Sequence, residues 1–129
     1  MKKAVIYARY RGFEEKAAQS IDDQIKKCTT YAEELGYSIV NTYIDITING
    51  EPDTREERRR MMIERKAGEW DAIIVSNYDR LTRNKLELYD MQQDVKILCV
   101  ELSEDQIGTS MLKGFQQYFK EYKKRGGKK

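Results

Sequence analysis

Ala4-Val5-Ile6-Tyr7-Ala8-Arg9-Tyr10-Arg11-Gly12 is the stretch from which the fold is read. Residues 4–8 form a nearly continuous apolar run, too short for a helix and without the alternation of a half-exposed strand. Such a run marks a strand buried on both faces, the kind found inside parallel sheets covered by helices. Arg9 and Arg11 follow at its carboxyl end, and Gly12 closes it.

Working outward, the pattern over residues 14–35 becomes helical. Ile21, Ile25, Cys28, Ala32 and Leu35 recur at spacings of three and four, a core-facing stripe. Ser20 with Asp23 offers a local cap, so a late start or a bend is expected there. Gly36 supplies the stop. Residues 38–44 read as a second strand, and residues 45–53, with Asn49-Gly50 and the only proline, Pro52, as a loop. Thr54 with Glu57 has capping-box spacing, opening a helix to about residue 67 before Gly68. Residues 70–76 make a third buried strand. Residues 77–83 form a polar turn into a short helix over residues 84–92, and residues 95–102 form a fourth strand. After Gly108, Met111, Leu112, Phe115, Tyr118, Phe119 and Tyr122 trace an aromatic-rich helical stripe.

Strands alternating with helices over short connections predict an α/β fold. We expect a mostly parallel sheet of four to five strands with helices on both faces, ending in a truncated C-terminal helix. One domain over residues 1–125 and a disordered basic tail at 126–129 are expected, with no separate DNA-binding domain.

Composition narrows the chemistry. The chain has 129 residues, is 40% hydrophobic and 36% charged, and carries a net charge of only +2, which argues neither for nor against a nucleic-acid partner. Histidine is absent, removing the commonest general base and the commonest metal ligand. Cys28 and Cys99 sit in apolar patterns and read as two buried thiols. No stretch is long enough to span a bilayer and the apolar N-terminal run is too short for a signal peptide, so no membrane partner and a cytoplasmic location are expected.

In open parallel sheets the site lies beyond the carboxyl ends of the strands, at the point where strand order reverses. The first strand ends at Arg9-Tyr10-Arg11, the second delivers Asp45 and its loop Arg55, and the third ends at Asn77-Tyr78-Asp79-Arg80 with Arg83 one turn on. Several arginines on one rim suit forked, permanently charged contacts to phosphate oxygens. Arg58-Arg59-Arg60 reads as a solvated helix face, and Asp79-Arg80 also admits a plain surface ion pair.

Tyr7-Ala8-Arg9, the run from Gln19 through Ser20-Ile21-Asp22-Asp23 to Gln24, Asp45 with Asn49-Gly50, Arg55 with Arg60-Met61, Glu69-Trp70-Asp71-Ala72-Ile73-Ile74-Val75 and Asp79-Arg80-Leu81-Thr82-Arg83 resemble, in order and spacing, the resolvase/invertase family of serine recombinases. The resemblance is closest to the catalytic domains of the large serine recombinases and covers residues 3–101, then weakly the last helix. It implies covalent attack by a serine on a DNA phosphodiester, with arginines stabilising the charge on the phosphoryl oxygens and no metal or cofactor. It assigns Arg9, Arg55, Arg80 and Arg83 to phosphate binding, and Gln24 and Asp79 to supporting positions.

The family pattern Tyr-Ala-Arg-x-Ser reads Tyr7-Ala8-Arg9-Tyr10-Arg11 here, so Arg11 holds the nucleophile position; Asn49 stands where the following loop usually carries a second serine. A guanidinium cannot be deprotonated in a protein, so Arg11 binds phosphate or fills its space. Among hydroxyls, Tyr10 should face away from Arg9 and Arg11, Ser20 lies on the first helix, and Thr82 caps the short one. The expectation is a degenerate, non-cleaving member of the family, a pseudoenzyme from a mobile element. It would bind DNA weakly and pair through its last helix as a homodimer or with a full-length recombinase. The alternatives are an active recombinase domain or fragment, and a phosphate- or nucleotide-binding doubly wound domain, which the lack of a glycine-rich loop beyond Gly12 disfavours.

Overall fold

Backbone pairing carries the first strand well past its apolar run. In the computed structural model, which describes residues 2–101, β1 spans Lys2–Gly12. A short 3-10 turn, Glu14–Lys16, leads into α1 (Ala17–Leu35), followed by β2 (Tyr37–Ile48), α2 (Glu56–Arg65), β3 (Ala72–Val75), α3 (Tyr78–Leu81), α4 (Lys85–Asp94) and β4 (Lys96–Cys99). The described strands form one four-stranded sheet in the order β2-β1-β3-β4, every pair parallel. The order reverses between β1 and β3, so the crevice expected there lies beside the end of β1.

The two faces of β1 build two cores. Val5 and Tyr7 enter one with Tyr43, Met61, Trp70, Leu81 and Leu88; Ala4 and Ile6 enter the other with Cys28, Ala32 and Tyr37. Alternation along the strand thus divides α2 and α4 from α1 across the sheet. Cys28 and Cys99 are free thiols, Cys28 buried and Cys99 only partly so, and burial pushes them up to about 12 and about 11, which keeps both unreactive.

The β1–β2 ladder contains one irregularity. Ala4 faces Ile39 but Val5 faces Asn41, so Val40 is an extra residue on β2. Upstream of it the odd-numbered Tyr37 belongs to the α1-side core; downstream of it the odd-numbered Tyr43 belongs to the α2-side core. The bulge therefore sets Asp45 and Thr47 opposite Arg9 and Arg11 on the α2 side of the sheet.

Local expectations fare unevenly. Gly36 adopts φ 79 and ends α1 as predicted, its N–H reaching the carbonyls of Ala32 and Glu33. Ser20 does not start α1, which runs through it from Ala17, and Leu35 is 46% exposed rather than in the core stripe. Residues 45–48, read as loop, continue β2, and residues 78–81, read as turn, form α3. The C-terminal helix with its aromatic stripe and the basic tail lie outside the described residues.

Candidate functional site

Asp45 organises the rim. It is 8% exposed, and its Oδ2 accepts from the Tyr7 hydroxyl at 2.7 Å and from the N–H of Arg58 at 3.0 Å, while Oδ1 accepts from the N–H of Glu57 at 2.9 Å. The carboxylate of a neighbouring strand thus caps α2. This replaces the Thr54–Glu57 box expected from the sequence: Thr54 makes no cap, and Arg55 precedes the helix with φ 49. An ionised acceptor serving two helix N–H groups, at the positive end of the helix, outcompetes a local hydroxyl. Left-handed backbone at a non-glycine residue is strained by about 1–2 kcal/mol, and here it carries the Arg55 guanidinium inward. Burial and the Asp45 carboxylate together push the Tyr7 phenol far above its ordinary range, so it serves as a donor only.

Two of the expected arginines meet over a third side chain. Arg9 is buried at 7% exposure, and its Nη2 pairs with Oδ2 of Asp53. Arg55 places Nε 3.7 Å from the same oxygen and donates from Nη1 to the Leu81 carbonyl at 2.7 Å. Thr47, 5% exposed, donates from Oγ1 to Oδ1 of Asp53 at 3.2 Å. Burial, with Arg9 and Arg58 nearby, lowers Arg55 from its ordinary value, the mark of guanidiniums crowded together.

The backbone of Arg9 is held separately. Its N–H donates to Oε1 of the buried Gln24 at 3.0 Å, and its carbonyl accepts from Gln24 Nε2 at 2.9 Å and from Arg80 Nη1 at 3.2 Å. Arg80 lines a groove with Tyr10, Ser20 and Gln24, whereas Arg55 and Asp53 line one with Arg58, Arg59, Met62 and Met91. Arg80 and Gln24 therefore act on the main chain of Arg9, and Arg55 acts beside its side chain.

Arg11 is exposed, opposite Thr47 in the ladder and on the same face as Arg9. Arg83 is exposed and joins none of these contacts, and Asp79 is exposed, with its backbone N–H on the Asn77 side chain at 2.9 Å. The hydroxyls weighed from sequence are engaged elsewhere: Tyr10 donates to the Phe13 carbonyl, Ser20 accepts from Gln24, and Thr82 binds Glu87. The cap of α4 is Asn84 rather than Thr82, its Oδ1 accepting from Leu86 and Glu87 N–H. Gly12 adopts φ 154, which disfavours any side chain, and a Cβ there would have to displace the Tyr10 hydroxyl, 2.6 Å away.

Sequence reasoning missed Thr47, Asp53 and Arg58. Arg58 is not part of a solvated face: it donates to the Leu81 carbonyl at 2.8 Å and to both carboxylate oxygens of Glu87 at 3.1 and 3.2 Å. Arg60 fits the solvated reading, pairing with Glu57 and Glu64 and lying over the Tyr43 ring. Among the described residues no group of His, Cys, Asp and Glu could hold a metal, and no helix is long and apolar enough to cross a membrane.

The acidic members of this network predict a pH response. Hydrogen bonds from Arg58 and Thr82 hold Glu87 below the usual carboxylate range. Burial pushes Asp53 up, but Arg9, Thr47 and Arg55 outweigh it and hold it low as well. Depressed values mean stability present above the unfolded carboxyl range, about pH 4, and lost as pH falls through the lower folded values. The urea midpoint should fall between pH 5 and pH 3, and by less in Glu87→Gln; equal falls in both proteins would contradict the assignment.

Known proteins share this architecture. The family model for the N-terminal domain of resolvases matches residues 4–125. The N-terminal catalytic domain of TP901-1 integrase superposes with a TM-score of 0.66 at 26% identity, covering 95% of this chain and 99% of that one. The C-terminal catalytic domain of ISC1926 TnpA, an IS607-like serine recombinase, gives a TM-score of 0.63 at 28% identity, over 82% of this chain and 74% of that one. A resolvase family site-specific recombinase from Streptococcus pneumoniae gives a TM-score of 0.70 over 98% of this chain and 93% of that one; at 24% identity it speaks for the fold alone. A search of the curated proteins finds no match.

Proposed function

The chain belongs to the resolvase family, matching its N-terminal domain over residues 4–125, and from that membership we propose that it is a DNA-binding, non-cleaving protein of site-specific recombination. The observation that carries this reading is the pairing of a gathered arginine site with an arginine in the attacking position. Arg9 and Arg55 share an anion, Arg58 stands beside Arg55, and Arg11 follows Arg9 on the same face, where the family pattern has its serine.

Guanidiniums supply charge and forked hydrogen bonds to phosphate oxygens at any physiological pH, and they supply no attacking oxygen. The site keeps phosphodiester binding and loses the bond-making step. In this reading Arg9 and Arg55 grip the phosphate, Arg80 and Gln24 fix the main chain that carries Arg9, and Arg83 and Asp79 stand at the solvent edge of the DNA path. Within that family this reading puts the chain with the catalytic domains of the large serine recombinases. A cytoplasmic regulatory role follows, through pairing with a second copy or with a full-length recombinase by way of residues 111–122.

Fluorescence anisotropy with a labelled DNA duplex tests the binding, and a denaturing gel after incubation with supercoiled DNA tests the chemistry. Affinity should fall steeply with salt. Arg55→Ala should reduce the log–log salt slope by about 1, as expected for the loss of one phosphate contact. No protein–DNA adduct should form. A covalent adduct, or binding indifferent to salt, overturns the proposal.

A second reading, cleavage by Thr47, draws on one observation. Its buried hydroxyl donates to Asp53 beside Arg9. Thr47 Oγ1 would bond to phosphorus as the bond to the 3′ oxygen breaks, with the threonine proton passing through Asp53 to that departing oxygen, which leaves as a 3′-hydroxyl. An adduct lost in Thr47→Val would establish it.

A further inference from the structure

We infer that Asp53 is a tethered occupant of the phosphate seat, a carboxylate that an incoming phosphate must displace from Arg9 before the site can bind DNA. This rests on the phosphate-binding reading above and adds to it a built-in competitor. A guanidinium presents Nε and Nη2 side by side, an edge matched to two oxygens of one anion. In Arg9 that edge is half used. Nη2 is taken by Oδ2 of Asp53, while Nε is buried and has no hydrogen-bond partner. The Arg9 side chain is 9% exposed, so solvent reaches it poorly.

The reason lies in the other oxygen of Asp53. Oδ1 is held by the Thr47 hydroxyl at 3.2 Å, and Oδ2 is shared with Arg55 Nε at 3.7 Å. The carboxylate meets one donor of that edge and leaves the other without an acceptor. A phosphate presents tetrahedrally arranged oxygens, so it can meet Nε and Nη2 together and still offer an oxygen to Arg55. Asp53 lies outside any helix or strand, between the turn at Asn49-Gly50 and the start of α2, where a side-chain swing disturbs no regular ladder. Its ionised form offsets one of the two guanidinium charges at rest; its departure leaves Arg9 and Arg55 facing the ligand.

The measurement compares the full chain with Asp53→Asn, which keeps the shape and removes the charge. Inorganic phosphate and a labelled DNA duplex serve as probes at one fixed salt concentration. The variant should bind both roughly tenfold more tightly, because a neutral amide competes poorly with an anion for a guanidinium. Equal or weaker binding of both probes by the variant overturns the inference and leaves the proposed function standing if DNA binding remains salt-sensitive. Tighter phosphate binding without DNA binding by either protein supports the seat and overturns the proposed function. No binding of either probe to either protein overturns both. A readout in the unaltered chain guards against a misfolded variant: saturating phosphate should shift the Arg9 Nε–H resonance. If that resonance is unmoved while phosphate is bound, the inference fails.

Discussion

Asp45→Ala lowers the unfolding free energy by about 3 kcal/mol, the expected loss when one buried acceptor of several hydrogen bonds is removed. Three donors lose their partner together: the Tyr7 hydroxyl and the N–H groups of Glu57 and Arg58. Tyr7 is completely buried, so its hydroxyl finds no water in exchange. The two amides belong to the first turn of α2, where loss of a cap alone typically costs about 1 kcal/mol. Urea unfolding followed by circular dichroism should show a lower midpoint with an unchanged slope. Tyr7→Phe, which deletes one bond and leaves the cap, should cost about 1 kcal/mol. A loss below that value in Asp45→Ala would mean that the carboxylate is not the structural tie between β2 and α2.

If the proposed function holds, Arg11→Ser should give a protein that nicks DNA. The substitution puts a hydroxyl on the face shared by Arg9 and Thr47, at the position the motif resemblance assigns to the attacking serine. Supercoiled DNA incubated with the variant should yield open circles and a protein–DNA species stable to denaturant, neither of which is expected from the unaltered chain. Adding Arg9→Ala in the same molecule should lower the nicking rate by about 10²–10³, the usual cost of removing one group aimed at developing charge. If Arg11→Ser folds, binds DNA and leaves it intact, the retained guanidiniums are not arranged for phosphoryl transfer, and binding is the whole of the function.

The centre of the fold is legible because residues 4–8 and 72–75 are apolar on both sides and alternate with helical stretches over short connections, the pattern of a covered parallel sheet. Element ends are less so. Residues 9–12 and 45–48 remain in strands because β1 and β2 pair with each other, and hydropathy does not record pairing. The cap of α2 escapes a local reading because its acceptor is twelve residues from Glu57, on another element. Arg58 escapes for a similar reason: within three consecutive arginines, only helix phase turns one of them toward Leu81 and Glu87. The family resemblance names Arg9, Arg55, Arg80 and Gln24 together, and it does not record their division between the side chain and the main chain of Arg9. Thr47 and Asp53 lie in a stretch that reads as an ordinary loop, and nothing in its composition announces a buried hydroxyl and an anion.

The single surplus residue at Val40 has a consequence for comparing this chain with others. Because it decides which side of the sheet receives Asp45 and Thr47, an aligned sequence with a one-position gap between Ile39 and Asn41 could match every motif and still turn its acid toward the wrong helix. Gaps at that place are therefore to be scored as changes of chemistry, and percentage identity will not reveal them.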